Sequence, residues 1–181
     1  FDDALHIEKK GENYLVGIHV ADVSRYVSGG TRLFSEAKSR CTSLYFADKQ
    51  IPMLPPVLSE GVCSLIKDRL RPVLSIMVLL SPVAALVEYK VVQGAVKVYE
   101  QFSYEHADSL MGSDDELGLL SMLGEKLRKN RIDNGALLMP IPDVLVDIDK
   151  EHNVSVTLAD ADSGTRAMVA EFMVLANTLG A

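Results

Sequence analysis

Val73-Leu74-Ser75-Ile76-Met77-Val78-Leu79-Leu80-Ser81-Pro82-Val83-Ala84-Ala85-Leu86-Val87 is the most apolar run in the chain, and its reading decides the fold. On hydropathy alone a membrane helix competes with a buried hairpin. Pro82 breaks the run after Ser81, and both halves are rich in Val, Ile and Leu, which favours two strands joined by a turn at Ser81-Pro82. The span also falls short of the roughly 20 clean apolar residues a bilayer requires. A soluble sheet is therefore predicted, with strand character running on through Glu88-Tyr89-Lys90-Val91-Val92 to about Val98.

Working outward, Tyr14 to Ala21 is short and β-branched and reads as a buried strand after a turn at Lys10-Gly11-Glu12-Asn13, with Leu5-His6-Ile7 a possible strand before it. Asp22 to Val27 and Ser28-Gly29-Gly30-Thr31 read as loop. Leu33 to Arg40 suits a short helix with Ser35 as a possible cap. Ile51-Pro52-Met53-Leu54-Pro55-Pro56 reads as an extended loop, because prolines remove donors and fix φ. Beyond the apolar run, Ser103-Tyr104-Glu105-His106 opens like a capped helix, and Asp114 to Arg131 carries Leu117, Leu120, Leu123 and Leu127 at helical intervals. Asp133-Asn134-Gly135 closes that helix. Ala136 to Met139, Val144 to Ile148 and Val154 to Leu158 are strand-like, with Lys150-Glu151-His152-Asn153 as a hairpin turn, and Arg166 to Leu179 is a final amphipathic helix. The expected class is α+β: a mixed, largely antiparallel sheet packed against helices.

With 181 residues and 48% hydrophobic content the chain can bury one sizeable core. It begins at Phe1, and Leu179-Gly180-Ala181 continues a helical pattern, so both ends read as cut, and no signal peptide is visible. Cys41 and Cys63 lack CxxC or paired-His spacing, which argues against zinc or a disulfide framework and suits a reducing cytoplasm. The formal charge of −7 is the wrong sign for gripping nucleic acid by general electrostatics. An RNA substrate would need affinity from other domains.

Asp2-Asp3, taken alone, is an ordinary exposed acidic pair. Its company is more informative: Phe1-Asp2-Asp3-Ala4-Leu5, Gly17-Ile18-His19-Val20-Ala21-Asp22-Val23-Ser24, Thr42-Ser43-Leu44-Tyr45, Ile51-Pro52-Met53-Leu54-Pro55, Leu58-Ser59 and Cys63-Ser64-Leu65 follow in that order. Together they resemble the catalytic domain of ribonuclease II family exoribonucleases. The resemblance continues through Ser103-Tyr104-Glu105 to Glu171-Phe172-Met173-Val174-Leu175-Ala176-Asn177, so residues 1–181 read as a partial catalytic domain, truncated at both ends.

That resemblance implies a magnesium-dependent 3′-to-5′ exoribonuclease releasing nucleoside 5′-monophosphates from single-stranded RNA 3′ ends. Carboxylates would hold Mg2+ on the scissile phosphate, activating water and stabilising the leaving oxygen. Asp2 and Asp3 match the last two members of the family's aspartate cluster. The earlier members fall before Phe1, and an arginine-bearing catalytic segment falls beyond Ala181, so the isolated chain is expected to be inactive. Proline-containing loops are expected to line the RNA channel, and flanking RNA-binding domains are expected in the parent protein.

Tyr45 matches an aromatic that stacks on an RNA base, against the bland reading of a half-buried strand tyrosine. Tyr104 matches a tyrosine that contacts a ribose, against that of a core residue at a helix start. Met139 stands where the family has a base-clamping aromatic, and Ala170 where the first of two adjacent acids would meet a ribose, leaving Glu171. Arg40 could meet a phosphate or make a surface salt bridge. Asp22 could support the strand end or the metal cluster. His19 reads as a hydrogen-bonded residue at a strand end rather than a general base. The departures at Met139 and Ala170 keep open an RNA-binding or scaffold member that has lost catalysis.

Overall fold

The protein is seen in a computed structural model that describes residues 1–112, 115–138, 143–148, 153–159 and 164–181. Its centre is a four-stranded antiparallel sheet. Strands β1 (Asp3–Lys10) and β2 (Asn13–Ala21) form a hairpin whose turn uses Gly11 at φ 61°, a conformation that suits glycine. The decisive apolar run is a second hairpin, β5 (Leu70–Leu80) and β6 (Leu86–Lys97), closed where Ser81 N–H donates to the Ala85 carbonyl at 2.9 Å. The strand order is β1-β2-β5-β6. Lys67 and Val98 add an isolated parallel bridge. Among the described residues no helix is long and apolar enough to cross a membrane.

Period-two alternation sends Ile7, Val16, Ile18, Ile76 and Val78 to one face of the sheet, where they pack on Leu120 and Leu123 of α3 (Asp115–Asp133) and on Met168, Phe172 and Ala176 of α4 (Gly164–Gly180). Phe172 and Leu123 are fully buried there. The two helices come close because Gly124 has no side chain: a Cβ would stand 3.3 Å from the Met168 backbone. Ala21, Cys63, Leu65 and Val73 form a smaller core on the other face. The α+β class, a largely antiparallel sheet packed against helices, is thus observed directly.

Several local expectations are corrected. The helix after the first hairpin, α1 (Arg32–Arg40), is capped by Thr31, whose Oγ1 accepts from Phe34 N–H at 3.2 Å; Ser35 lies inside it. Val23–Arg25 forms a 3-10 turn within the expected loop. Ile51 pairs in a small two-stranded hairpin, β3 (Leu44–Tyr45) with β4 (Gln50–Ile51), and the proline stretch leads into a wide helical turn at Val57–Val62. Residues 136–138 form no strand, because Gly135 at φ 92° ends α3 and leaves Leu137 and Leu138 exposed. Ser103 caps α2 (Tyr104–Leu110) as expected, accepting from His106 N–H at 3.2 Å. Strands β7 (Asp143–Ile148) and β8 (Val154–Ala159) form the expected last hairpin, with Asp143 opposite Ala159 and Ile148 opposite Val154. Asp114, Met139, Pro140, Pro142 and most of the expected turn at Lys150-Glu151-His152 lie outside the described residues.

Candidate nucleic-acid interface

The open edge of β1, the segment that follows β6 and the inner faces of α3 and α4 enclose a groove of about 830 Å³. Backbone bonds hold its floor together. Leu65 N–H donates to the Phe1 carbonyl at 2.7 Å, and Asp68 N–H donates to the Val98 carbonyl at 2.9 Å, so the chain leaving β6 folds back beside the start of β1. Asp3 and Tyr104, far apart in sequence, thereby line one space together with His6 and His19. Expectation placed proline-containing loops along the channel; no proline lines this groove. Strands, helices and the irregular stretch from Tyr99 to Ser103 supply the walls.

Asp2 and Asp3 part company at the head of β1. Asp3 pairs in register with Val20 and lines the groove. Burial and the neighbouring Asp2 charge push its carboxyl above the usual range, partly offset by the positive amino terminus. Asp2 holds the strand end through its carbonyl, which accepts from Ala21 N–H at 2.9 Å. Its charge, with that of Asp22, acts on Cys63, whose thiol is raised chiefly by burial and lowered by Arg71. Asp22 accepts from the Ser24 hydroxyl at 2.5 Å.

Carboxylate oxygens at Asp2, Asp3 and Asp22 are the hard donors magnesium prefers. Their number falls short: among the described residues no three His, Cys, Asp or Glu side chains converge to hold a metal ion. The donor type suits Mg2+ and the donor count does not complete a site, so any such site draws ligands from outside these residues.

The other candidates are scattered: Tyr45 and Arg40 lie on the surface, Tyr104 on the groove, Glu171 buried on α4, and Met139 outside the described residues. Tyr45 is 75% exposed on the β3–β4 hairpin, not half-buried, beside the exposed Phe46. Arg40 closes α1 and pairs with Glu36 at 2.9 Å, also donating to the Pro52 carbonyl at 3.2 Å; the surface salt bridge is what is observed. Tyr104 opens α2 partly exposed, with the Arg166 guanidinium 4.4 Å over its ring. Glu171 is buried on α4, and both its oxygens accept from Arg131, at 2.6 and 3.0 Å. Ala170 is exposed.

One constellation was not singled out in the sequence. His6 Nδ1 and His19 Nε2 lie 2.8 Å apart, and His19 Nδ1 lies 2.7 Å from Ser75 Oγ. The two rings stack with centroids 5.0 Å apart. They cover Gly17, where a Cβ would overlap the His6 ring. Burial, and secondarily the nearby His6 charge, push His19 down to about 4, so it is neutral at pH 7. The signal was available: a hairpin turning at Gly11 sets His6 opposite Gly17 and His19 opposite Ala4, diagonal neighbours across two strands.

The RNB domain pattern matches residues 1–181. The chain belongs to the RNB family. Its fold is the catalytic-domain fold of the ribonuclease II and R exoribonucleases. Among curated RNB proteins it is 34% identical to the exosome complex exonuclease RRP44 homolog A of Arabidopsis thaliana, over 97% of this chain and 20% of that protein. It is 33% identical to ribonuclease R of Thermotoga maritima, over 98% of this chain and 27% of that protein. Among solved structures, Mycoplasma genitalium RNase R in complex with double-stranded RNA superposes with a TM-score of 0.91 at 20% identity, covering 97% of this chain and 33% of that one. Yeast Ssd1, a pseudonuclease, superposes at 0.69 and 20% identity over 77% of this chain and 18% of that one. This RNB chain therefore spans about a fifth to a third of the proteins it resembles.

Proposed function

We propose that the chain is part of the catalytic domain of a cytoplasmic, magnesium-dependent 3′-to-5′ exoribonuclease that hydrolyses RNA to nucleoside 5′-monophosphates. The observation that carries this reading is the shared groove: Asp3 from the first strand and Tyr104 from the first turn of α2 line the same space. Asp2 and Asp3 contribute carboxylates toward Mg2+, with further ligands from the flanking sequence. The ion, when bound, supplies electrostatic stabilisation of the phosphate and a nucleophilic water.

Within this reading the chain's own residues bind and orient the strand. Tyr104 offers its hydroxyl to a ribose, where a 2′-OH separates RNA from DNA. Tyr45, exposed on its hairpin, offers a stacking face at a distance from the groove. Met139, a soft side chain without a stacking face, stands where the family clamps a base, which weakens base clamping. Arg40 meets a phosphate by exchanging its Glu36 partner, an exposed pair worth little to stability. Glu171 meets the ribose region together with its Arg131 partner. The net charge of −7 leaves general affinity for RNA to flanking domains.

The test is release of mononucleotides from a 3′-labelled RNA by the full-length parent protein with magnesium. Release should vanish in Asp3→Asn, and residues 1–181 alone should show no appreciable turnover. Failure of the parent with its aspartates intact overturns the enzyme. The substitutions at Met139 and Ala170 favour a second reading, an RNA-binding or scaffold member without catalysis. It is recognised by tight RNA binding with no release in the same assay.

A further inference from the structure

His6 is a groove-lining group that the proposed chemistry leaves unused. Its ring is anchored at one end only: Nδ1 is engaged by His19, and among the described residues Nε2 has no protein partner. The anchor is itself anchored, because His19 is buried and its far nitrogen is held by Ser75 on the next strand. Gly17 keeps the room that lets the two rings stack. Three strands thus cooperate to fix a groove-lining imidazole with one unpartnered nitrogen.

The proton arrangement decides what that nitrogen offers. A neutral imidazole has one donor and one acceptor nitrogen. If the Ser75 hydroxyl donates to His19 Nδ1, then His19 Nε2–H donates to His6 Nδ1 and His6 Nε2 carries a proton. If His6 is a cation, both its nitrogens donate, His19 Nε2 accepts, and His19 Nδ1–H donates to Ser75 Oγ. Both states put a proton on Nε2, the nitrogen free to meet an occupant of the groove. A single remaining state, neutral His6 donating from Nδ1, presents a lone pair instead. An RNA strand's phosphodiester oxygens only accept, so they select the donor states.

We infer that His6 is an RNA-binding residue whose Nε2–H donates to a phosphodiester oxygen of the strand in the groove, with His19 and Ser75 as positioning residues. This rests on the proposed reading of the groove as an RNA site. It adds a contact on the edge strand three residues after Asp3.

Two amides separate the two ends of the ring. Asparagine places its amide near the position of Nδ1, and glutamine near that of Nε2. In the full-length protein, with magnesium removed by EDTA to prevent hydrolysis, single-stranded RNA affinity is measured by fluorescence anisotropy at fixed salt, since affinity depends steeply on it. His6→Asn should retain the wild-type melting temperature and bind about tenfold more weakly, the loss of one charge-assisted hydrogen bond. His6→Gln should recover most of that loss, which a purely structural role for the ring would not do. Wild-type affinity in a folded His6→Asn protein overturns this inference and leaves the nuclease reading standing; absence of RNA binding by the wild type overturns both. Should His6→Asn fail to fold, the wild-type His6 ring resonances decide: they move on titration with RNA, and an unmoved His6 Cε1–H overturns the contact.

Discussion

Asp108 on α2 holds the first turn of α4 through Thr165: one carboxylate oxygen accepts both the Thr165 N–H, at 2.7 Å, and its hydroxyl, at 2.8 Å. The cap comes from a different helix, so it joins two walls of the groove while satisfying an unpaired helix-start donor. Gly164 is its counterpart, because a Cβ there would overlap the Asp108 carboxylate. Asp108→Ala should cost about 1 kcal/mol, the usual worth of a cap, read as a lower urea midpoint.

The same bond has an acid signature. The Thr165 N–H and hydroxyl hold the Asp108 carboxyl below the usual carboxylate range. For an acid whose folded value is depressed, the contribution is complete above about pH 4 and is lost as pH falls through the lower folded value. Denaturation curves in acid should therefore converge for the wild type and Asp108→Ala, having differed at pH 7. Curves that stay equally far apart in acid would refute the carboxylate's role.

Gly17 is required by a ring rather than by a turn. In Gly17→Ala the new methyl would occupy the place of the His6 imidazole and stand 2.8 Å from His19 Nε2. Overpacking of this kind typically costs about 1–3 kcal/mol. Removing the ring should relieve it, so the double variant Gly17→Ala with His6→Ala should be more stable than the two single losses added together. Strict additivity in that cycle would show that the glycine serves something else.

His19 gives a second pH window with its own sign. Its folded value is about 4, whereas an unfolded imidazole titrates near about 6.5. Between these values the unfolded chain binds more protons, so acidification favours unfolding. The contribution is fully present above about pH 6.5 and is lost as pH falls toward 4, at up to about 1.4 kcal/mol per pH unit. His19→Gln, which keeps a donor and an acceptor, should flatten the stability curve across that window. A curve with unchanged slope would mean that other groups carry the dependence.

What could be read in the sequence and what could not divide along physical lines. The hairpin over Val73 to Val87 was legible because Pro82 and β-branched residues are local signals. Helix α2 was legible because Ser103 caps it from the adjacent position. The cap of α1 was misplaced because Ser35 and Thr31 are equally suitable residue types, and only the chain's entry angle selects Thr31. Ala136 to Leu138 carried a strand pattern with no partner strand, and pairing is a tertiary property. The candidate residues could be read as blocks in order, but not as a shape: the placing of Asp3 and Tyr104 along one groove, and the contacts of His19 with His6 and with Ser75, depend on strand register and on the fold-back after β6. Asp108 was invisible for the same reason, since its partner Thr165 lies on another helix.

Arg131 and Glu171 make a bidentate pair in which the carboxylate is buried and the guanidinium about one-third exposed. Hydrogen bonding by Glu171 raises Arg131 further, so the cation is permanent. The pair is asymmetric in what its removal leaves behind. Arg131→Met leaves a buried carboxylate without a partner and should cost roughly 3 kcal/mol, the low end for breaking a buried pair. Glu171→Gln leaves a neutral amide that still accepts one bond, and the partly exposed guanidinium can turn to water, so the loss should be clearly smaller. If the proposed contact of Glu171 with RNA depends on Arg131 holding the carboxylate in place, Arg131→Lys should weaken RNA binding more than it lowers the melting temperature. A lysine keeps the charge but cannot make the two-pronged bond. Equal RNA affinity for Arg131→Lys and wild type would separate the pair from RNA recognition and leave it as a clasp between α3 and α4.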